Sequence, residues 1–459
     1  MPRWISNEPG EEAAMLESLG IASLDELFRD IPKKARIGRL GIGGGREEPD
    51  VVREVDRLLD RNRPLTKFAT FLGGRISHRY IPAAVDAIVS RSEFYTAYTP
   101  YQPEASQGML RTLFEFQSLW VELTGLDLAN ASLYDGATAG GEALLFCRRI
   151  HEGHRFLVPA SLPWEERSVL SNYASGPGLR VEEVPYDPRT GNLDLEFVRK
   201  AIAAKDVFGV LADVPNGFGH LDEGVLDLKS MLGDVPLVVS ADPLSLSVLE
   251  PPGAYGADVV IGEGQGFGAS PSFGGPLLGL FACRREHSRQ APGRIVGSTV
   301  DLEGRPACTL TLQTREQHIR RSRAMSNICT NESLMALAFV VYASTVGPRG
   351  LAALQSSLAE KARTLASALG GIDGLQAPRF DAPYLGEFTI ELTHGTTAGF
   401  LDRLRRRRIL GGHALADPRP GAPKEAERIL VAATDAVGEK EIQKYAAAAK
   451  AWAAAGGRA

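Results

Sequence analysis

Lysine is the residue that this sequence most visibly lacks. Only 11 of its 51 basic residues are lysines, and none lies between Lys229 and Lys361. The absence excludes covalent chemistry that needs a side-chain amine from residues 230–360. The net charge of −5 also gives no reason to expect a nucleic acid or an anionic membrane surface as a partner.

Cysteines and long apolar runs are scarce as well. The four cysteines show no C-x-x-C spacing and no histidine at metal-ligand intervals, so we expect small buried thiols and no metal site. No run approaches the roughly 18 apolar residues of a membrane span. The first nine residues lack the apolar segment that is typical of a secretory signal. These observations predict a cytoplasmic protein that has no membrane partner.

The length of 459 residues indicates two or three structural units. Residues 1–65 are charged and helix-like, with a predicted capping box at Ser23-Leu-Asp-Glu26, and we interpret them as an N-terminal helical arm. Residues 66–345 are predicted to form a large α/β domain. Residues 346–459 are predicted to form a small α+β domain.

Short apolar runs and helix-forming stretches alternate within the predicted large domain. The runs lie at 156–158, 179–184, 207–211, 237–239, 258–261 and 277–281. This alternation predicts βαβ units and a mostly parallel sheet that is covered on both faces.

Residues 91–108 form the most unusual segment of the chain. Three tyrosines, two prolines and two glutamines lie close together in it, and the prolines disfavour a regular helix. A stiffened loop that is rich in hydroxyl groups suits the binding of a small polar ligand. It also suits a packed interface, because one side of a tyrosine is apolar and the other is polar.

This segment resembles the first subunit of the two-subunit glycine decarboxylase, the P-protein of the glycine cleavage system. Further motifs of that family follow in order along the chain: Phe71-Leu-Gly73, Tyr80-Ile-Pro82, Tyr134-Asp-Gly-Ala-Thr138, Gly262-Glu-Gly-Gln265, Ser272-Phe-Gly-Gly-Pro276, Arg294-Ile-Val-Gly297, Thr311-Leu-Gln-Thr-Arg-Glu-Gln-His-Ile-Arg320 and Ser326-Asn-Ile-Cys-Thr-Asn331. Near the C-terminus, residues 434–440 depart from the family pattern.

The resemblance implies an aspartate-aminotransferase-like fold (fold type I) of pyridoxal-phosphate enzymes. It also implies a reaction in which glycine is decarboxylated and its aminomethyl group passes to the lipoyl group of the H-protein. A homologous, lysine-bearing second subunit is the implied partner, in an α2β2 heterotetramer. In such a pair the second subunit holds the pyridoxal phosphate.

The cofactor lysine of this fold class is missing from the expected loop. That loop reads Gly262-Glu-Gly-Gln-Gly-Phe-Gly268, and Gln265 stands at the lysine position. An amide nitrogen is not nucleophilic, so Gln265 cannot bind the cofactor covalently. Candidates for the other two cofactor contacts remain: the turn at 134–142 for the phosphate, and Asp242 for the pyridine nitrogen. The turn at 134–142 and Asp242 can each also be interpreted as a purely structural feature.

The resemblance suggests that the 95–102 loop reaches into the partner's active site. Its polar side chains would bind the carboxylate of glycine or the cofactor phosphate, and they are Tyr95, Tyr98, Thr99, Tyr101 and Gln102. Weaker candidates for cofactor binding are Asn327, Thr330 and Asn331, which helix capping would also explain. His318 could act as an acid or base, or belong to an interface ion-pair cluster.

Three interpretations of the whole chain compete. The first is a lysine-less subunit of glycine decarboxylase. The second is a scaffold or regulatory paralogue that binds the partner subunit without contacting substrate. The third is a self-sufficient pyridoxal-phosphate enzyme that uses an unexpected lysine such as Lys229, although this lysine precedes Asp242 in the chain and so has the wrong order for the fold.

Overall fold

The structure is a computed structural model, and it describes residues 9–38, 41, 43–418 and 426–457. Two compact units make up the chain, Met1–Arg63 and Pro64–Ala459. The first boundary lies close to the predicted end of the N-terminal arm. The second predicted boundary, at residue 345, lies within the second unit and stays a prediction.

The helices occur in both units. In chain order they are α1 (Pro9–Ser18), α2 (Glu48–Leu59), α3 (Ala83–Val89), α4 (Ser92–Tyr95), α5 (Gln107–Thr124), α6 (Gly136–Ile150), α7 (Trp164–Ser175), α8 (Leu195–Ala203), α9 (Val225–Leu232), α10 (Gln317–Arg320), α11 (Ser333–Gly370), α12 (Thr397–Arg406) and α13 (Glu439–Ala453).

The described strands all lie in the second unit. In chain order they are β1 (Ala69–Thr70), β2 (Leu128–Ala129), β3 (Arg155–Pro159), β4 (Arg180–Val184), β5 (Val207–Val214), β6 (Leu237–Ala241), β7 (Val259–Glu263), β8 (Gly279–Cys283), β9 (Ile295–Val300), β10 (Pro306–Thr311), β11 (Leu375–Gln376), β12 (Glu387–Leu392), β13 (Ile409–Leu410), β14 (His413–Ala414) and β15 (Arg428–Ala432).

A seven-stranded sheet with the order β2-β8-β7-β6-β5-β3-β4 forms the centre of the second unit. The five strands from β7 to β4 are parallel, whereas β8 runs antiparallel to β7 and β2 antiparallel to β8. Strands β6, β7 and β8 are buried along their whole length, as expected for a sheet covered on both faces. The predicted α/β fold with a mostly parallel sheet is confirmed.

A second, antiparallel sheet has the order β11-β12-β15-β14 and packs against α12 and α13. Phe71 is buried in the apolar cluster of this sheet, and the adjacent strand β1 pairs with β13. Residues 69–71, which the sequence assigns to the large domain, therefore pack with the C-terminal part of the chain.

Helix α11 is long and apolar enough to cross a membrane by length and composition only, although it contains no unbroken run of about 18 apolar residues. It is broken at Gly347, which adopts φ 68° and ψ 168° just before Pro348. Only glycine reaches this backbone region readily, so the pair divides α11 into two helices. Its residues Ala336, Phe339 and Tyr342 are buried in the core of the second unit.

Two smaller predictions need correction. Residues Leu24–Phe28 form a short 3-10 helix, and the Ser23 side chain does not cap it. The carboxylate of Glu26 instead accepts from Ala22 N, one residue before the predicted position.

Cys147, Cys283 and Cys308 are buried as expected, but Cys329 is exposed. Among the described residues, no group of His, Cys, Asp and Glu side chains could hold a metal ion.

Candidate functional site

A cavity of about 340 Å³ lies at the carboxyl ends of the parallel strands. Asp242 directly follows β6, Glu263 ends β7, and Gly136 begins α6; all three line this cavity. Ligands of open α/β sheets bind at this edge, because loops and helix N-termini converge there. The sequence-predicted phosphate turn and pyridine partner are therefore brought together.

The N-terminus of α6 is already occupied by carboxylates of the chain itself. Asp135 is the N-cap residue, and its side chain accepts from Thr138 N at 2.7 Å and from Thr138 Oγ1 at 2.8 Å. The Oε2 of Glu263 accepts from Gly136 N at 2.9 Å. These N–H groups are the donors that would hold a phosphate in a cofactor-binding enzyme.

Glu263 is held in place by two further backbone donors. Its Oε1 accepts from Leu278 N at 2.8 Å and from Gln265 N at 2.9 Å. Burial raises the pKa of Glu263 to about 7; the backbone donors act in the opposite direction, and nearby Asp135 adds to the increase. A Cβ on Gly136 would lie 3.1 Å from the Cβ of Glu263, so the helix and the strand approach closely here.

Gln265 has no solvent exposure, and both ends of its amide are used. Its Oε1 accepts from Ser77 N at 2.9 Å, while Nε2 donates to Ser77 O at 3.2 Å and to the carbonyl of Ala269. The side chain therefore links the β7–β8 loop to the segment after β1. The residue predicted to stand at the lysine position therefore has a structural role.

One wall of the cavity carries an ion-pair cluster around Arg75. Its Nε donates to Glu166 at 2.8 Å and its Nη2 to Asp213 at 2.5 Å. Burial raises the pKa of Asp213 to about 6, although Arg75 lowers it. Two carboxylates therefore already engage the guanidinium, through its Nε and Nη2 nitrogens.

The residues at this edge therefore do not fit pyridoxal phosphate. The predicted lysine position holds a fully bonded amide, carboxylates accept from the backbone donors of the predicted phosphate turn, and Asp135, Asp242 and Glu263 make the cavity acidic. An incoming phosphate would displace Glu263 and meet like charges. Asp242 itself accepts from Ser245 N at 3.1 Å, which is a structural role.

Lys229 cannot replace the missing lysine. It lies on α9, and its Nζ donates to Asp258 at 2.8 Å and to Val235 O at 3.2 Å. Asp258 immediately precedes β7 and Val235 precedes β6, so this ion pair lies at the amino ends of the strands. The cavity lies at the opposite edge of the sheet.

The 95–102 loop forms a separate surface and contributes no residue to the cavity lining. Tyr95 ends the single turn of α4, and its side chain is 68% exposed; Tyr98 is 82% exposed. Gln102 is exposed as well, whereas Thr99 is half-buried. Two tyrosine side chains on this loop are therefore largely uncovered in the isolated chain.

Tyr101 differs from the other two tyrosines because its hydroxyl is held. Arg294 Nη2 donates to it at 2.9 Å, and the guanidinium carbon lies 5.3 Å from the ring centre. The ring of His318 contacts Tyr101 edge-on at 6.2 Å, and His318 Nδ1 lies 3.6 Å from Glu316.

Arg294 also connects the loop to the second set of candidates. Its Nη1 donates to Asn331 Oδ1 at 3.4 Å, and Asn331 Nδ2 donates to Ala131 O at 2.9 Å. In the sequence, Arg294 stands out only as part of a family motif. A basic residue at the start of an otherwise apolar strand was the available signal.

Helix capping is the wrong explanation for the weaker candidates. Helix α11 begins at Ser333 with Glu332 as its N-cap, so none of Asn327, Thr330 and Asn331 caps it. Thr330 Oγ1 donates to Tyr134 OH at 3.2 Å, and Asn327 is exposed. Asn331 is taken up by the contacts with Arg294 and Ala131.

Comparisons of the sequence with known proteins point to one family. The family model described as glycine cleavage system P-protein matches residues 2–401. A probable glycine dehydrogenase (decarboxylating) subunit 1 from Geobacillus thermodenitrificans is 41% identical over 449 residues, which cover 96% of this chain and 97% of the relative. One of the same name from Pyrococcus abyssi is 41% identical over 447 residues, covering 94% and 95%.

Solved structures give the same result. A glycine decarboxylase (P-protein) of the glycine cleavage system, in inhibitor-bound form, superposes with a TM-score of 0.87 at 37% identity, covering 98% of this chain and 99% of that chain. A sphingosine-1-phosphate lyase of Burkholderia pseudomallei shares the fold alone, with a TM-score of 0.62 at 18% identity over 93% and 96% of the two chains. The predicted fold type I architecture of pyridoxal-phosphate enzymes is confirmed, and the chain belongs to the glycine cleavage system P-protein family.

Proposed function

We propose that the chain is the lysine-less subunit of glycine dehydrogenase (decarboxylating) and acts together with a homologous second subunit that holds pyridoxal phosphate. Family membership supports the overall reaction. The buried Gln265, with both ends of its amide bonded, supports the division of labour between the subunits. We place the enzyme in the cytoplasm as an α2β2 heterotetramer.

In the proposed reaction, glycine loses its carboxylate as carbon dioxide and its aminomethyl group passes to the lipoyl group of the H-protein. Pyridoxal phosphate, bound by the partner, supplies the electron sink. The contribution of this chain is to bind the carboxylate, to orient it and to exclude water at the subunit boundary.

The 95–102 loop supplies that contribution. The hydroxyls of Tyr95, Tyr98, Thr99 and Tyr101 and the amide of Gln102 can donate hydrogen bonds without adding a fixed charge. Neutral donors bind a carboxylate but do not oppose its departure as neutral carbon dioxide as strongly as a cation would. The exposure of Tyr95 and Tyr98 fits residues that become covered when the partner docks.

Reconstitution tests this function. The chain is expressed alone and together with a lysine-bearing homologous subunit, and exchange of labelled carbon dioxide into glycine is measured with lipoylated H-protein. We expect exchange only from the combined subunits. Exchange by this chain alone, or by the partner alone at the full rate, would contradict the proposal.

The scaffold interpretation makes a different prediction for the same assay. A scaffold would be required for assembly, but substitutions in the 95–102 loop that preserve assembly would leave the rate unchanged. Size-exclusion chromatography with light scattering, run on each variant, separates loss of assembly from loss of chemistry.

A further inference from the structure

Arg294 is a buried cation that lies closer to a tyrosine hydroxyl than to the nearest carboxylate. It is 4% exposed, and the shortest polar contact of its side chain is the 2.9 Å bond to the Tyr101 hydroxyl. Its Nε lies 3.8 Å from Glu316 Oε2, too far for a hydrogen bond, and has no hydrogen-bond partner among the described residues. A buried arginine placed only to stabilise the fold would be expected to pair closely with its carboxylate. The shortest hydrogen bond of the Arg294 side chain is instead the one to the Tyr101 hydroxyl.

The segment around Tyr101 is also fixed on its other side. Pro100 is buried, and Gln107 Nε2 donates to Pro103 O at 2.7 Å and to Cys308 O at 2.9 Å. Tyr101, which is itself 50% exposed, therefore lies between two anchored points. Its hydroxyl has a defined position before any partner arrives.

The chemistry of this contact determines what the hydroxyl can do. A guanidinium has donors and no acceptor, so the Tyr101 oxygen must accept and its own proton must be directed elsewhere. The positive charge withdraws electron density from the phenol and strengthens it as a donor. A hydroxyl held in this way is matched to an anionic acceptor.

We propose that Arg294 is a positioning residue that presents the Tyr101 O–H as a donor to the carboxylate of glycine in the partner's site. The inference rests on the proposed function, and it adds a specific donor and the residue that aims it. Asn331 helps to position the guanidinium of Arg294, because its amide oxygen accepts from Nη1 of Arg294.

Tyr101→Phe, Arg294→Lys and the double variant test the proposal in carbon-dioxide exchange by the reconstituted subunits. Lysine keeps the charge but loses the planar fork that reaches Tyr101 and Asn331 together. We expect each single variant to lower the kcat/KM for glycine by roughly tenfold or more. We expect the double variant to be no worse than Tyr101→Phe, since Arg294 acts through that hydroxyl.

Arg305→Lys is the matched control. Arg305 lies near the tip of the β9–β10 hairpin, is exposed and pairs with Asp301 and Glu303, so the same substitution there should leave kcat/KM unchanged. If Arg294→Lys fails to assemble, Arg294→Gln combined with Glu316→Gln replaces it, because this pair removes both charges of the 3.8 Å contact together.

The outcomes separate this inference from the proposed function. If Tyr101→Phe lowers kcat/KM while assembled Arg294→Lys does not, or if their effects multiply, Arg294 is only structural and the inference is overturned. If Tyr95→Phe, Tyr98→Phe and Tyr101→Phe all retain full exchange, the role of the loop in the proposed function fails first.

Discussion

Gln117 forms both possible hydrogen bonds with the backbone of Val296. Its Nε2 donates to Val296 O at 2.9 Å, and Val296 N donates to its Oε1 at 2.9 Å. Gln107 repeats the arrangement with Cys308, also at 2.9 Å in each direction. Two glutamines of α5 therefore fasten both strands of the β9–β10 hairpin, and with them the segment that carries Arg294.

Gln117→Met should loosen this hairpin. Methionine has similar length but leaves a buried N–H and a buried C=O of Val296 without partners. Each costs about 1–3 kcal/mol, so the free energy of unfolding should fall by roughly 2–6 kcal/mol. Urea unfolding measures the loss, and hydrogen exchange should show faster exchange at Val296. Gln443→Met, at an exposed position of α13, should change stability by less than about 0.5 kcal/mol.

Tyr95→Phe and Tyr98→Phe test the exposed part of the loop. Phenylalanine keeps the ring and its packing and removes only the hydroxyl. A lost hydrogen bond to a charged group is worth about 1.5–3 kcal/mol, so a tyrosine that contacts glycine should lose roughly tenfold to hundredfold in kcat/KM. Tyr255→Phe, outside the loop, is the control. Unchanged exchange in both loop variants, and in Gln102→Ala, would favour the scaffold interpretation.

The chain alone should not acquire pyridoxal phosphate. Incubation with the cofactor followed by borohydride should give no stoichiometric adduct, as measured by mass spectrometry of the intact protein. Gln265→Lys should not change this result, because Glu263 still occupies the α6 N-terminus and the cavity stays acidic. A stoichiometric adduct at any lysine of the natural chain would overturn the lysine-less assignment.

His220 should make the chain sensitive to mild acid. Its side chain has no exposure and lies edge-on against Phe380 and Tyr384, and burial lowers its pKa from 6.5 to about 4. Between these values the unfolded chain binds a proton that the folded chain does not. The stability contribution is therefore complete above pH 6.5 and is lost as pH falls toward 4. The total is roughly 3 kcal/mol.

His220→Leu isolates this effect. Denaturant unfolding of both proteins at several pH values between 7 and 4 gives the difference in free energy of unfolding. The natural chain should lose more stability than the variant below pH 6.5, and the difference should be constant above it. A difference that does not change with pH would show that His220 does not titrate in this window.

The sequence predicted those features that are encoded locally. The apolar runs at 207–211 and 237–239 became strands β5 and β6, as predicted. The direction of β8 was not predictable, because an apolar run carries no information about which way it pairs. The two-residue strand β2 was too short to give a pattern.

The features of the candidate site also divide into those that are encoded locally and those that depend on the tertiary structure. Gln265 could be identified by its place after a strand, and Asp135 by its place before a helix. The occupation of the α6 N-terminus by Glu263 depends on the close approach of α6 and β7, which are more than 100 residues apart in the chain. The bond between Arg294 and Tyr101 likewise spans 193 residues. Such contacts exist only once the tertiary structure has formed.

The Glu263 carboxylate at the start of α6 has a consequence for protein homeostasis. An enzyme whose fold is completed by a bound cofactor gains stability in proportion to the logarithm of the free cofactor concentration. This chain carries its own carboxyl group at that position, covalently attached and always present. The folding and lifetime of this chain should therefore not depend on the supply of vitamin B6. The chain should already be folded when a partner subunit that has bound the cofactor becomes available.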